Sequence, residues 1–587
     1  MPTALIAIVP IRRRPIHIIP RRAPIIRRLP MPIRVMTMRG IGTGTVNGPD
    51  IWLRNQRIFC RLLFVDFRRA GMKTRPALVA AYAAAAIACV AIVAVLFKTW
   101  GPLTTPKKAP ATVNMAQALQ TRLAGAGRDQ AVELYQARGF STVWFEGDQI
   151  SSDGRRVVAL LAAAETEALP AARYRLPAMP GIGARDEAKA EYDLALTIAA
   201  LRYAADMRWG AWRPDRFFND VSMTRERDDV ALGMIHAADS GNAASYLQGL
   251  APPEHDYGLL RAALARYRAV AAAWPTVAVE GRPSRQNMAA LKARLQAEGY
   301  LAADPVAFSA IVAALKAYQA GNGITADGQL NERTVAMLNV PPASRARQIA
   351  ANMERLRWMP HALGAQYIIV NVPDASLVLM ESGQQALVSR VVVGAPDKQT
   401  PILDAKAVAV TINPAWHVPK SIVAKEIQPK IDQDSDYLES KHMEMENGEV
   451  VQLPGPDNAL GSIKFELPNV FNVYLHDTPS KHAFLSNDRA QSHGCVRVEQ
   501  IRPLAEHVLG ITDDELQQAI ADGKTESRRL QQPIPVYIQY FTAIARDNGP
   551  TVFRADIYGR DARMIGLMFP GQPATQLASS GSDHTNR

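Results

Sequence analysis

The chain changes its period at Gln366. From residue 114 to 275 it is rich in Ala, Leu and Arg, and apolar residues recur at helical spacing, as in Ala131-Val-Glu-Leu-Tyr135, Val157-Val-Ala-Leu-Leu161 and Leu194 to Met207. Beyond Gln366 come short runs: Tyr367–Val372, Ala375–Met380, Ser389–Val393 and Ala407–Ile412, the first and third rich in β-branched residues. A pattern built on 3.6 residues per turn does not serve a strand, and a strand pattern does not serve a helix. The sequence therefore predicts a multidomain α+β chain with a helical domain over 114–275 and a mainly-β domain over 366–560. A chain of 587 residues has room for three or four domains.

Net charge is +12, which on its own suggests nucleic acid. Its distribution excludes that reading. Residues 1–70 hold fourteen Arg, no Lys and only Asp50 and Asp66 as acids, the whole of the excess. The remainder is neutral, with 53 residues of each sign. No phosphate loop and no interleaved basic-aromatic stripe appears, so NTPase and nucleic-acid functions are not expected.

Residues 1–71 alternate Arg clusters with Ile and Pro, which forbids a continuous helix. This basic extension is expected to be disordered, with Met72 a candidate start. Ala77 to Phe97 follows, 21 residues without a charge, flanked by Arg68, Arg69, Lys73 and Arg75. That is long enough to span a bilayer and places the N-terminus in the cytoplasm. An uncleaved anchor over 72–98 is expected rather than a signal peptide, whose apolar core is shorter. A Pro-containing linker covers 99–113.

Residues 286–340 form a smaller unit, with Leu291-Lys-Ala-Arg-Leu295, Tyr318-Gln319, Gly323-Ile324, Asp327-Gly328 and Thr334. Asp327-Gly328 reads as a turn and Asn331 as a helix cap. Within the β domain, 421–470 is long and irregular, with Pro429, Gly448, Pro454 and Gly461, and is expected to cap a cleft. Residues 561–587 are expected to be a tail.

Three cysteines are present: Cys60, Cys89 and Cys495. The first two lie before or inside the apolar run, so an exported part holds a single thiol with no disulfide partner. Cys495 stands in Ser492-His493-Gly494-Cys495-Val496-Arg497, after Tyr474-Leu-His476-Asp477-Thr478. A thiol needs a base to become a thiolate, and imidazole is the usual one. Gly494 permits positive φ and close backbone approach to a substrate. Four possible zinc ligands, His476, His482, His493 and Cys495, lack Cys-x-x-Cys or helical His-x-x-x-His spacing, so no metal and no cofactor is expected.

These two motifs resemble the signature of the L,D-transpeptidase (YkuD-type) catalytic domain. Asn413-Pro-Ala-Trp416-His-Val-Pro419 resembles the segment of that family leading to the substrate cleft. Residues 286–340 resemble a peptidoglycan-binding module. Leu134-Tyr-Gln-Ala-Arg-Gly-Phe140 with Trp144-Phe145, and Leu201 to Met207 with Gly210 and Pro214, resemble the scaffold domain of the larger Gram-negative members. The resemblance implies Cys495 as nucleophile and His476 as general base and acid. It also implies peptidoglycan stem peptides as partners, 3→3 cross-linking through an acyl-thioester, and acylation by carbapenems. The anchor would then sit in the inner membrane with the catalytic part in the periplasm.

Backbone N–H groups of His493, Gly494 and Cys495 are the natural oxyanion donors. Ser492, His493 and Arg497 are expected to support that loop, with a stem carboxylate as the other partner open to Arg497. Tyr474 and Trp416 are expected to line the cleft. Asp477 offers its backbone carbonyl to His476; its side chain reads as a turn former. The imidazole is expected to lower the thiol pKa. A cysteine carboxypeptidase or amidase uses the same residues with water as acceptor, and a wall-binding scaffold uses none of them.

Overall fold

The computed structural model describes residues 113–123, 129–224, 229–270, 274–303, 307–547 and 549–571. The expected extension 1–71, the anchor 72–98 and the linker up to residue 112 lie outside the described residues. Val113 already opens a helix, Val113–Leu123. Among the described residues no helix is long and apolar enough to cross a membrane.

The helical part is organised by α1 (Asp186–Trp209), buried along most of its length. It buries polar residues as well as apolar ones, and its two buried carboxylates are met. Asp193 accepts from the Tyr135 hydroxyl at 2.5 Å and from the Val143 and Trp144 amides at 2.9 and 2.8 Å. The Trp144 indole donates to Thr197 at 2.9 Å. Asp206 accepts from Tyr174 at 2.7 Å and Arg173 at 2.9 Å. A carboxylate survives burial only when paired in this way. The Tyr135 and Trp144 motif is thus a clasp onto α1. A second helix, α2 (His255–Ala269), packs on the same core.

In the small module, α3 (Phe308–Gly321) carries Gln319, which is fully buried. Its Nε2 donates to Asp327 at 2.8 Å, the Gln329 carbonyl at 2.9 Å and Thr334 at 3.1 Å. Its Oε1 accepts from the Gly328 amide at 2.8 Å. The spaced Gln, Asp-Gly and Thr marks therefore converge on one amide. Asn331 caps the following helix by accepting from the Thr334 amide at 2.9 Å.

Between module and β domain runs α4 (Pro342–Trp358), started by proline at its first turn and buried almost throughout. Its charged residues fasten the parts together. Arg357 donates to Glu354 at 2.8 Å, to the Tyr257 hydroxyl at 2.7 Å and to the Glu167 carbonyl. Glu354 accepts from the Trp212 amide at 2.9 Å. Arg355 pairs with Asp561 at 2.5 Å, and Asn352 exchanges two bonds with Thr542, 2.8 and 2.9 Å. Gly210 ends α1 at φ +85° where a Cβ would meet Glu354 Oε1 at 2.6 Å, so only glycine lets α1 close onto α4.

The β domain is a ring of eight strands. In chain order these are β1 (Gln366–Asn371), β2 (Ser376–Glu381), β3 (Gln384–Gly394), β4 (Ile402–Ile412), then β8 (Ile463–Glu466), β9 (Leu475–His476), β11 (Val496–Val498) and β12 (Glu526–Gln539), while β10 (Ala490–Ser492) pairs with β3 outside the ring. Neighbours run β8-β9-β11-β3-β2-β1-β12-β4, and β4 pairs with β8 to close the ring. Closure leaves no open edge among these eight strands. Most pairings are antiparallel; β9–β11 and β1–β12 are parallel. Val370, Leu377, Val391, Val410, Val496 and Ile538 fill the interior.

The region expected to be an irregular cap is ordered. It holds short helical turns from Lys420 to Ser440 and a hairpin of β6 (Met443–Glu446) and β7 (Glu449–Gln452). The hairpin turns at Asn447-Gly448, both with positive φ, as a two-residue loop requires. β7 also pairs with β5 (Trp416–His417). Val418, Ile427 and Val450 give this cap a core of its own. β8 already belongs to the ring, so the cap ends before residue 463 rather than at 470.

The expected tail requires a correction. Residues Arg560–Met568 form α5, with Asp561, Met564, Ile565 and Met568 buried. The Asp561–Arg355 pair and the apolar stripe hold it in the core; its charged start disguised it as solvent-facing.

Candidate active site

The parallel pair β9–β11 sets His476 opposite Arg497 and Leu475 opposite Val496. The Val496 amide donates to the Tyr474 carbonyl at 3.1 Å, which extends the register to Tyr474 and Cys495. Side chains alternate along a strand. Leu475, Val496 and Val498 therefore enter the ring core, all fully buried. Tyr474, His476, Cys495 and Arg497 share the opposite face. On the next strand Lys464 stands opposite His476, its ammonium 4.7 Å from the Tyr474 ring centroid. Lys464 also pairs with Glu466 at 3.0 Å. Neither Lys464 nor Glu466 was singled out from the sequence, because a Lys-x-Glu strand carries no chemical signature of its own.

The structure brings the predicted nucleophile and base to one face without bonding them. Cys495 is half-buried, and among the described residues no hydrogen bond joins it to His476. Its nearest polar associations are with Tyr474 and, at 4.0 Å, the Asn472 carbonyl. Burial pushes the thiol up from its ordinary value, against hydrogen bonding from Tyr474 and the charges of Lys464 and Arg497. His476 is buried, its ring 5.4 Å from that of Tyr474, edge to face. Burial first, and the Arg497 charge second, push its imidazole down to about 3. Both groups are thus held in their neutral forms, where the sequence led one to expect a thiolate favoured by imidazole. The reason is desolvation, which penalises both charges at once.

His476 Nδ1 is buried without a hydrogen bond of good geometry; its weak association is with the Asp477 backbone, which favours the imidazolium. The Asp477 side chain is engaged elsewhere. It accepts from the Ser462 amide and hydroxyl, both at 3.0 Å, and pairs with Lys481. Burial would raise its carboxyl, but Lys481 and the Ser462 amide hold it below the ordinary range. The Asp477 side chain thus ties the end of β9 to the start of β8 rather than closing a local turn.

The nucleophile turn is built from its own residues. Gly494 has φ +113°, a conformation that any Cβ would strain. The Ser492 hydroxyl donates to the Cys495 carbonyl at 2.6 Å and accepts from the Gly494 amide at 3.2 Å. Thr400 donates to the Gly494 carbonyl at 2.9 Å. With the Gly494 amide so used, the His493 and Cys495 amides are the remaining oxyanion candidates. His493 bonds outward instead: its Nε2 lies 2.5 Å from Glu426 in the cap. Arg497 is half-buried, with its Nε unpaired, and burial lowers its pKa. Trp416, on β5 of the cap, packs against the cap core and interacts with the Tyr474 hydroxyl.

The chain matches known protein families. Residues 365–538 match the family "L,D-transpeptidase catalytic domain", residues 129–264 the "Scaffold domain", and residues 284–338 a peptidoglycan binding domain. A Haemophilus influenzae protein assigned as an L,D-transpeptidase is 35% identical over 245 residues, 38% of this chain and 49% of that protein. The chain thus spans about half the length of the curated relative it matches. Among solved structures, an L,D-transpeptidase from Stackebrandtia nassauensis is 15% identical, covering 46% of this chain and 97% of that one at a TM-score of 0.20. One from Mycobacterium smegmatis is 11% identical, covering 30% and 58% at a TM-score of 0.19. Such scores add nothing to the sequence matches. It is those matches, over the ring that carries Cys495 and His476, that identify residues 365–538 as a YkuD-type L,D-transpeptidase catalytic domain, preceded in the chain by a scaffold domain and a peptidoglycan-binding module.

Proposed function

We propose that this chain forms 3→3 cross-links in peptidoglycan through a Cys495 acyl-thioester. The observation that carries the reading is the single face of β9 and β11 bearing Tyr474, His476, Cys495 and Arg497. Sγ attacks the carbonyl carbon of the third residue of a tetrapeptide stem. His476 takes the thiol proton as the bond forms and returns it to the amine of the departing D-alanine. A neighbouring stem's amine then attacks the thioester, His476 removes the amine's proton, and the thiol is restored with it. The His493 and Cys495 amides hold the oxyanion, and Arg497 meets a stem carboxylate.

The charge-free run Ala77–Phe97 supports an inner-membrane anchor with the domains in the periplasm. Carbapenems are expected to acylate Cys495, since they present an activated carbonyl to the same thiol. The experiment is incubation of purified tetrapeptide muropeptides with the protein, with products weighed by mass spectrometry. Cross-linked dimers support the reading. Tripeptide monomers alone mean that water is the acceptor and the protein is a carboxypeptidase. No change favours a wall-binding scaffold.

A further inference from the structure

The cap reaches the nucleophile turn through one carboxylate. Glu426 lies in a π-type turn, Val423–Ile427, of the kind that inserts a residue and re-aims its neighbours. The next residue, Ile427, is buried in the cap core. Glu426 Oε1 stands 2.5 Å from His493 Nε2 and 3.0 Å from Lys398 Nζ. Three segments distant in sequence meet there: the cap, the turn after β3, and the turn before β11.

The two partners sit on a common seat. The Ala395 amide donates to the Ser492 carbonyl at 2.8 Å, and the Lys398 amide to the Ala395 carbonyl at 2.8 Å. Thr400 joins the Gly394 amide, at 2.8 Å, to the Gly494 carbonyl, at 2.9 Å. Lys398 and His493 are therefore presented by backbone already tied together, and the cap adds the one acidic group that faces both. His493, then Lys398, holds the Glu426 carboxylate below its ordinary range, against burial.

We propose that Glu426 is a positioning residue: by bridging His493 and Lys398 it fixes the cap over the site and sets the orientation of the turn that carries the Cys495 nucleophile. The inference rests on the reading of residues 492–497 as the nucleophile turn. A partly exposed ion pair contributes little to global stability. Its effect here is geometric, and small displacements of a reacting group cost rate out of proportion to stability.

The test uses the full chain with Glu426→Ala, Glu426→Gln, Glu426→Asp and Lys398→Met. Three measurements are made: proteolytic cleavage within the cap, the rate of Cys495 alkylation by iodoacetamide, and steady-state turnover of tetrapeptide stems, which gives kcat and KM. Loss of the bridge should speed cap cleavage and alkylation several-fold. It should lower kcat by roughly tenfold or more, with KM changed much less. Global destabilisation would not move alkylation and turnover in opposite directions. Glu426→Asp should recover part of each effect, and Lys398→Met, which keeps the His493 contact, should show a smaller one. Wild-type values in all three measurements for Glu426→Ala would overturn the proposal. So would a fall in kcat with alkylation and cleavage unchanged, which would make Glu426 a substrate contact. Should Glu426→Ala fold poorly, the isosteric Glu426→Gln decides. Should wild type turn over no stem peptide while cleavage and alkylation still respond, the enzymatic reading fails and the bridge stands.

Discussion

Two sets of buried polar groups in this molecule differ in whether opposite charge meets them. Along α4, charge is met by charge: Arg357 by Glu354, Arg355 by Asp561, with Asn352 closing a two-bond ring on Thr542. On the face of β9 and β11, His476 Nδ1 has only a weak association with the Asp477 backbone, Arg497 keeps an unpaired Nε, and the thiol is not bonded to its base. The first set joins the helical part to the β ring by pairing opposite charges, although Arg355, Arg357 Nε and Asp561 Oδ1 are left short of hydrogen bonds. The second carries no such pair. Orphaned buried groups lower stability, and they persist where chemistry needs them.

The largest expected effect sharpens that contrast. Cys495→Ala should abolish acylation by stem peptide or carbapenem, leaving no mass adduct, with the thermal midpoint unchanged. His476→Ala should lower acylation by roughly 10²–10⁴, the range for one general acid–base group. A comparable loss of folding stability in either variant would place these residues with the α4 cluster instead.

The converse concerns α4. Asp561→Ala strands Arg355, 1% exposed, and takes the acceptor from Thr542. Breaking a buried pair from one side costs about 3–5 kcal/mol. Denaturant unfolding should show that loss, while kcat per folded molecule stays near wild type. A drop in kcat with stability intact would make the cluster part of the site.

Acid separates the two regions further. His476 is depressed from 6.5 to about 3, by burial and then Arg497. The unfolded chain therefore takes up a proton below about 6.5 that the native state refuses. Stability from this group is present above that pH and lost as pH falls toward 3, at a limiting slope of about 1.4 kcal/mol per pH unit. Asp404 opposes it: burial raises its carboxyl to about 7, so its contribution is present below 3.8 and lost as pH rises through 7. The difference between wild type and His476→Asn removes the Asp404 term, and the variant should gain on wild type as pH drops from 6.5 to 4. A constant difference over that range would show that His476 is not held neutral by burial.

The same contrast explains what the sequence made legible. The nucleophile turn could be read because its logic is local: Gly494 needs positive φ, and Ser492 closes the turn on Cys495 three residues away. The ring strands could be read from β-branched runs. Helix α4 went unassigned between two domains because its buried face includes Arg345, Glu354, Arg355 and Arg357, which periodicity assigns to solvent. Pro342 at its start and the Ile349, Met353, Leu356 spacing were the available signals. α5 was hidden in the same way behind Arg560 and Asp561. Asn447-Gly448 was a readable hairpin mark inside the cap. Glu426 had no mark, since its partners lie 28 and 67 residues away in sequence.

The smallest expected effect lies in the peptidoglycan-binding module, where a buried amide plays the α4 role at smaller scale. Gln319 satisfies the Gly328 amide and three acceptors; Asp327 belongs to the loop that closes the module and Thr334 to the helix that follows it. Gln319→Leu fills the same space and makes none of those bonds. It leaves a buried amide and hydroxyl unmet, at a cost of about 1–3 kcal/mol. The loss should be local, because the module also rests on the β domain through Asn322, which accepts from the Phe553 amide at 2.7 Å. Hydrogen exchange at residues 322–330 should quicken, while amides of the ring strands and the alkylation rate of Cys495 stay at wild-type values. Faster Cys495 alkylation in this variant would mean that the module loop reaches the site, by way of Asn487, which donates to Thr325 at 2.7 Å in the segment preceding the nucleophile turn. The two ways of handling buried polar groups would then be coupled through that contact rather than separate.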